Sequence, residues 1–188
     1  LIADLRAEAA LAGARPVSTV FFGGGTPSLF PGEEIARILD AVRAVLDLAE
    51  DAEITLEANP GASDAGRFAA YAAAGVNRLS IGAQSFNAAM LSALGRIHGP
   101  GEIADAVAMA RAAGIGNINI DLMFGLPHQD QRGAVADLEA LVGHAVVLDS
   151  STKVPNWEIP EDYPLAVCLP HSHSVFVIAQ KEGFDHGV

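Results

Sequence analysis

Cysteine is nearly absent: Cys168 stands alone among 188 residues. One cysteine excludes an internal disulfide framework and suits a reducing compartment, so a cytoplasmic location is expected. Lysine is nearly as scarce, with only Lys153 and Lys181. Lysine and arginine total 11 against 23 aspartates and glutamates, a net charge of −12. Phosphate contacts need clustered cations, so this balance argues against nucleic-acid binding. Aromatic residues make up 6% of the chain and apolar residues 51%, so the core must be built from Ala, Leu, Ile and Val. No apolar run approaches the roughly 20 residues of a membrane span. The opening Leu1-Ile2-Ala3-Asp4-Leu5-Arg6 reads as amphipathic helix and not as a signal peptide. It has no initiator Met, and the chain is expected to begin inside a longer protein.

The basic residues divide along the chain. Every arginine lies at or before Arg132, and both lysines lie after it. The alanine-rich texture fades after Ala145, and Pro155, Pro160, Pro164 and Pro170 crowd the C-terminal stretch. Two regions are expected: a body over residues 1–148 and a Pro-rich tail over 149–188. The tail reads either as a linker with a small appendage or as a product of fusion, misassembly or frameshift.

The body alternates helix and strand. Leu1 to Ala12 reads as helix, and Thr19 to Phe22 as strand. Ile35, Ile38, Leu39, Val42, Val45 and Leu46 follow helical period, with Pro31, Glu33 and Glu34 as start signals. Glu53 to Ala58 alternates as a strand. Ser63 is the expected N-cap of a helix carrying Phe68, Tyr71 and Ala72 and ending at Gly75. Arg78 to Ala83 is a strand, Glu102 to Gly114 a helix, and Asn117 to Phe124 a strand. A last helix with Val135, Leu138, Leu141 and Val142 stops at Gly143. In the tail, Val175 to Ala179 reads as a short strand. Such alternation predicts an α/β fold with a parallel sheet and right-handed crossovers.

Strand parity narrows the architecture. Glu53, Thr55, Glu57 and Asn59 share one face; Arg78, Ser80, Gly82 and Gln84 share another; so do Asn117, Asn119 and Asp121. The alternate positions are apolar. Parallel strands buried on both faces read as nearly continuous apolar runs, and a closed eight-stranded barrel fills its lumen with branched apolar side chains. A polar face on strand after strand implies a wider, partly open barrel holding a polar ligand.

Ligands of parallel α/β folds bind at the C-terminal ends of strands. Those ends hold Gly23-Gly24-Gly25-Thr26, then Glu57 and Asn59, then Gln84 and Ser85, then Asp121; Arg96 follows in Leu94-Gly95-Arg96-Ile97-His98. Glycines let backbone N–H groups approach a ligand where a side chain would block it. The set suits a zwitterion with hydroxyls: backbone groups for a carboxylate or amine, Glu57 for a cation, Asp121 for a ribose hydroxyl, Arg96 for a carboxylate. Each residue also has a plain structural role open to it: a tight turn, a strand-end charge, a loop cap, or, for Asp121, a partner for Arg78. His98 and His128 lack companions at ligand spacing and read as ordinary loop histidines.

FFGGGTPSL, EITLEANPG, GVNRLSIGAQSFN, LGRIH and NINIDLMFGLPHQ occur in that order. Together they resemble the radical S-adenosylmethionine (SAM) proteins related to oxygen-independent coproporphyrinogen III oxidase. They are more similar to the haem chaperone branch than to the oxidase proper, over roughly Leu1 to Leu141. The resemblance implies a partial (β/α)6 radical SAM barrel, truncated here at its first strand and followed by an atypical tail. It also implies bound SAM, a 4Fe–4S cluster in the full-length parent, and haem or porphyrinogen with a haem-acceptor protein as partners. Residue by residue, Gly24, Gly25, Thr26, Glu57, Gln84, Arg96 and Asp121 match the family's SAM contacts. Haem chaperone is the function it favours. Radical decarboxylation of porphyrinogen propionates is the alternative, and an unrelated (β/α) phosphate- or sugar-binding protein is a second.

The family's cluster hangs on CxxxCxxC, because three thiolates leave one iron open for SAM. That motif is absent, so neither a catalytic nor a metal-ligating residue is assigned and the chain alone is expected to be inactive. Cys168-x-x-His171-x-His173 has metal-binding residue types, but it cannot replace three cluster thiolates.

Overall fold

The computed structural model describes residues 1–13, 15–62, 65–145 and 177–179. Parity is the organising fact. Along β1 (Val17–Phe22), β2 (Leu48–Ala58), β3 (Arg78–Gln84) and β4 (Asn117–Phe124), alternate side chains point to opposite faces. The strands pair parallel in sequence order, and β5 (Val177–Ala179) adds to β4. Registers Val20↔Ile54, Leu56↔Leu79 and Ile81↔Ile120 stack the apolar positions on one face. There they meet Ile35, Leu39, Phe68, Tyr71, Ile103, Val107 and Ala110 from the crossover helices, all buried. Burying each large apolar side chain contributes about 1.5–3 kcal/mol, so this outer layer drives the fold.

The helices are α1 (Ile2–Ala12), α2 (Gly32–Val45), α3 (Ala65–Ala74), α4 (Ala88–Ala93), α5 (Pro100–Ala112) and α6 (Gln131–Ala145). Their ends follow local chemistry. Pro31 precedes α2, Glu33 and Glu34 occupy its first turn, and Arg43 its last. Gly75, at φ +109°, ends α3 in a conformation that favours glycine. Pro100 opens α5, and the Glu102 carboxylate accepts from Gly99 N–H at 2.7 Å. No helix among the described residues is long and apolar enough to cross a membrane.

Several boundaries differ from those expected. β2 begins at Leu48 and not at Glu53. Its register jumps there from Val17↔Leu48 to Thr19↔Glu53, an irregularity that breaks the alternation a sequence pattern relies on. α5 starts two residues before Glu102, and α6 runs two residues past Gly143. The sequence pattern does not show α4: it is too short to display a period, and its start is set by Asn87, whose side-chain oxygen accepts from Ala89 N–H and Met90 N–H. The expected cap Ser63 and the Cys168, His171 and His173 motif lie outside the described residues.

α2 and α3 meet through Gly32. A Cβ there would lie 2.4 Å from Ala70 Cβ and 3.0 Å from the Ala70 backbone carbon. Gly→Ala ordinarily favours a helix, but here backbone must move to admit the methyl. Gly32→Ala should therefore destabilise by about 1–3 kcal/mol, read as a lower midpoint in denaturant. An unchanged or raised midpoint would show that the two helices separate at little cost.

Candidate functional site

The inner face of the sheet is polar and layered. Nearest the N-terminal ends of the strands, buried Arg78 donates to Thr55 Oγ1 at 3.3 Å and lies 3.6 Å from Glu53, while the Thr55 hydroxyl donates to Glu53 at 3.0 Å. One layer up, Asn119, 1% exposed, donates to Ser80 Oγ at 2.9 Å and to Asp121 Oδ1 at 2.7 Å. Ser80 Oγ in turn donates to the Asp121 carboxylate, at 3.1 Å to Oδ2. Asp121 is thus held by two neutral donors, and Arg78 pairs with Glu53 and Thr55 instead.

Above these layers the strand ends open into a cleft of about 170 Å³. Gly25, Thr26 and Pro27 line it from the loop after β1; Glu57, Ala58 and Asn59 from the end of β2; Ser80, Gly82 and Gln84 from β3; Arg96 from the segment after α4; and Asp121 from β4. Gly24 sits beside it, with its N–H donating to Glu57 Oε2 at 3.1 Å. All seven candidate residues therefore converge, six on the cleft wall and Gly24 through Glu57.

The glycine loop leaves room for a ligand. Gly24 and Gly25 have φ +86° and +62°, and a Cβ on either would meet nothing within 4 Å. Any other residue would be strained there, and its side chain would fill that space. The loop is braced from behind: Ser28 O accepts from Arg67 at 2.8 Å and from the Tyr71 hydroxyl at 2.8 Å, and Tyr71 also reaches Phe30 O at 2.7 Å. Ser28 Oγ accepts from Asn59 N–H at 3.3 Å, tying the loop after β1 to the end of β2.

Gln84 is held in an unusual way. Its φ is +69°, and Ser85 N–H donates to Ala83 O at 2.9 Å, closing a three-residue turn around it. Turns of this hand are rare and strained, and a non-glycine residue in them costs on the order of 1–3 kcal/mol. The β3–β4 register shifts between Ile81 and Gln84 at the same place. The Gln84 amide lies across Gly82, where a Cβ would come within 2.9 Å of Nε2.

The electrostatics are mixed. Glu57 and Asp121 are negative, and Arg96 is half-buried with no carboxylate paired to it among the described residues. Burial pushes the Asp121 carboxyl above its usual 3.8, and the negative charge of Glu57 adds to this. Hydrogen bonds from Ser80 and Asn119, and the Arg78 guanidinium, work against it.

Sequence reasoning missed three features. Ser80 and Asn119 shared the polar face, but parity does not reveal that they grip Asp121. His98 is buried and not an ordinary loop residue: its Nε2 lies 3.2 Å from Ala83 O, and Nδ1 has no partner among the described residues. Asp137, on α6, accepts from Ser85 and Phe86 across 52 and 51 positions of sequence, and no local signal marks it.

The family model described as the radical SAM superfamily matches residues 1–141. The haem chaperone HemW of Escherichia coli is 51% identical over 142 residues, covering 76% of this chain and 38% of that protein. The mouse mitochondrial radical S-adenosyl methionine domain-containing protein 1 is 44% identical over 144 residues, covering 77% and 33%. Among solved structures, the coproporphyrinogen III oxidase HemN of E. coli superposes with a TM-score of 0.65 at 29% identity, over 76% of this chain and 34% of that one. The chain thus spans about a third of the length of the curated relatives it matches.

The Asp121 shift has a testable sign. A carboxyl raised in the folded state binds its proton more tightly there than in the unfolded chain. Stability from this group is greatest below 3.8 and is lost as pH rises from there through the folded value. Asp121→Asn lacks that loss. The variant's thermal midpoint relative to the wild type should rise as pH increases through this window; a constant or falling difference would refute the shift.

Proposed function

The chain belongs to the radical SAM superfamily, and from that membership we propose that it forms the SAM-binding core of a haem chaperone, a protein that binds haem and delivers it to acceptor proteins. The observation that carries the reading is the meeting of Glu57, Gln84, Arg96 and Asp121 with the glycine loop in one cleft. The donor set fits SAM. Arg96 offers a cation for the methionine carboxylate, Asp121 an acceptor for the ribose hydroxyls, and Glu57 a negative charge for the amine or sulfonium. Gly24 and Gly25 leave open space where a Cβ would stand. When bound beside a reduced cluster, SAM supplies the family's radical chemistry. This chain's own residues bind and orient it.

An iron–sulfur cluster is a different matter. The sequence has one cysteine, and among the described residues no group of three His, Cys, Asp or Glu is placed to hold a metal. The residues present do not fit a 4Fe–4S cluster, so no radical step is assigned to them. Haem chaperone is preferred over porphyrinogen decarboxylase because the curated relatives named as haem chaperones reach 51% identity, against 29% for the oxidase structure.

Calorimetric titration of the chain with SAM should show one site. Arg96→Ala and Asp121→Ala should each weaken it about tenfold or more, the loss of one hydrogen bond to a charged group. Absence of SAM binding, with a sugar phosphate bound instead, would overturn the reading. A longer protein carrying this segment and its cluster motif should change the Soret absorbance of added haem without releasing carbon dioxide from coproporphyrinogen III. The reverse result would favour the oxidase.

A further inference from the structure

We propose that Asp137 is a positioning residue for the cleft, holding the strained turn that aims Gln84 at the ligand; this rests on the SAM-binding reading above. Asp137 is 4% exposed and Ser85 is fully buried. The Asp137 carboxylate accepts from Ser85 Oγ at 2.8 Å to Oδ2, from Phe86 N–H at 2.7 Å to Oδ1, and from Gln129 Nε2 at 3.1 Å to Oδ2. All three donors are neutral, no cation among the described residues pairs with this carboxylate, and burying one so is costly. Two of the donors belong to the residues that immediately follow Gln84, the non-glycine residue at φ +69°. A strained conformation persists only where its surroundings over-determine it. Here the surroundings are a carboxylate delivered from α6, 51 and 52 positions away.

The grip also runs forward. Ser85 Oγ, while donating to Asp137, accepts from Asn87 N–H at 3.0 Å, and Asn87 caps α4. Arg96 N–H bonds back to Leu91 O at 2.9 Å at the far end of that helix. One buried carboxylate thus anchors the segment that carries Gln84 at its start and Arg96 at its end. Asp137 lines no part of the cleft, so it acts through these residues and not on the ligand.

A double-mutant cycle with SAM tests this. Asp137→Asn keeps the shape but sets an amide N–H₂ against donors. It should weaken SAM about tenfold in the wild-type background and no more than about threefold once Gln84 is already Ala, since coupled residues are non-additive. A merely structural role would give equal losses in both backgrounds, or none, and overturn the proposal. Should Asp137→Asn fail to fold by circular dichroism, Ser85→Ala removes only one of the three donors and carries the same cycle. If the wild-type chain does not bind SAM, the reading of the site fails instead. Hydrogen exchange of residues 84–87 then decides the clamp: faster exchange in Asp137→Asn supports it, and unchanged exchange overturns it.

Discussion

A parallel sheet cannot hide a polar face unless every atom on it finds a partner, and this molecule is arranged around that constraint. The outer face is apolar and packs under the helices; it provides the driving force through Leu56, Leu79, Ile81 and Ile120. The inner face carries Thr55, Arg78, Ser80, Asn119 and Asp121. The lower layer closes on itself, because Arg78, Thr55 and Glu53 satisfy one another. The middle layer closes almost as fully around Asp121. Ser80 and Asp121 of that layer still border the cleft, and the top layer, with Glu57, Gln84 and Arg96, opens onto it. Along the strands the polar groups therefore pass from pairing with one another to bordering an open cleft.

The loops at the strand ends inherit their shape from what braces them. The loop after β1 is pinned through Ser28 by Arg67, Tyr71 and Asn59. The turn after β3 is held by a carboxylate from the far side of the next crossover. In both cases the contact with a ligand would come from a flexible residue type, glycine or glutamine, and the order from a buried polar bond behind it. Such bonds stabilise little on balance, yet losing one partner strands the other without water.

Much of this was legible in the residues. Period-2 alternation marked Thr55, Glu57, Arg78, Ser80, Asn119 and Asp121 as one face, and the strands bear that out. The rule that ligands sit at the C-terminal ends of parallel strands then picked out six residues that line one cleft. What failed to show was short, irregular or distant. The six residues of α4 are too few for a period to emerge. The register irregularity at the start of β2 interrupts alternation. His98 looked like a loop residue because burial at a loop depends on what folds over it.

Local patterning settled the order of the strands and of the helices other than α4, which face of each strand is polar, and which residues stand at the strand ends. These follow from backbone geometry and the spacing of apolar side chains, which act over a few neighbouring positions. Which polar groups pair was left to the folded chain. Glu57 takes the N–H of Gly24 from 33 positions away, Asp121 takes Ser80 from 41, and Asp137 takes Ser85 from 52. Hydrogen bonds are short and directional, so no periodicity along the chain foretells them; they exist only once the sheet has set its register.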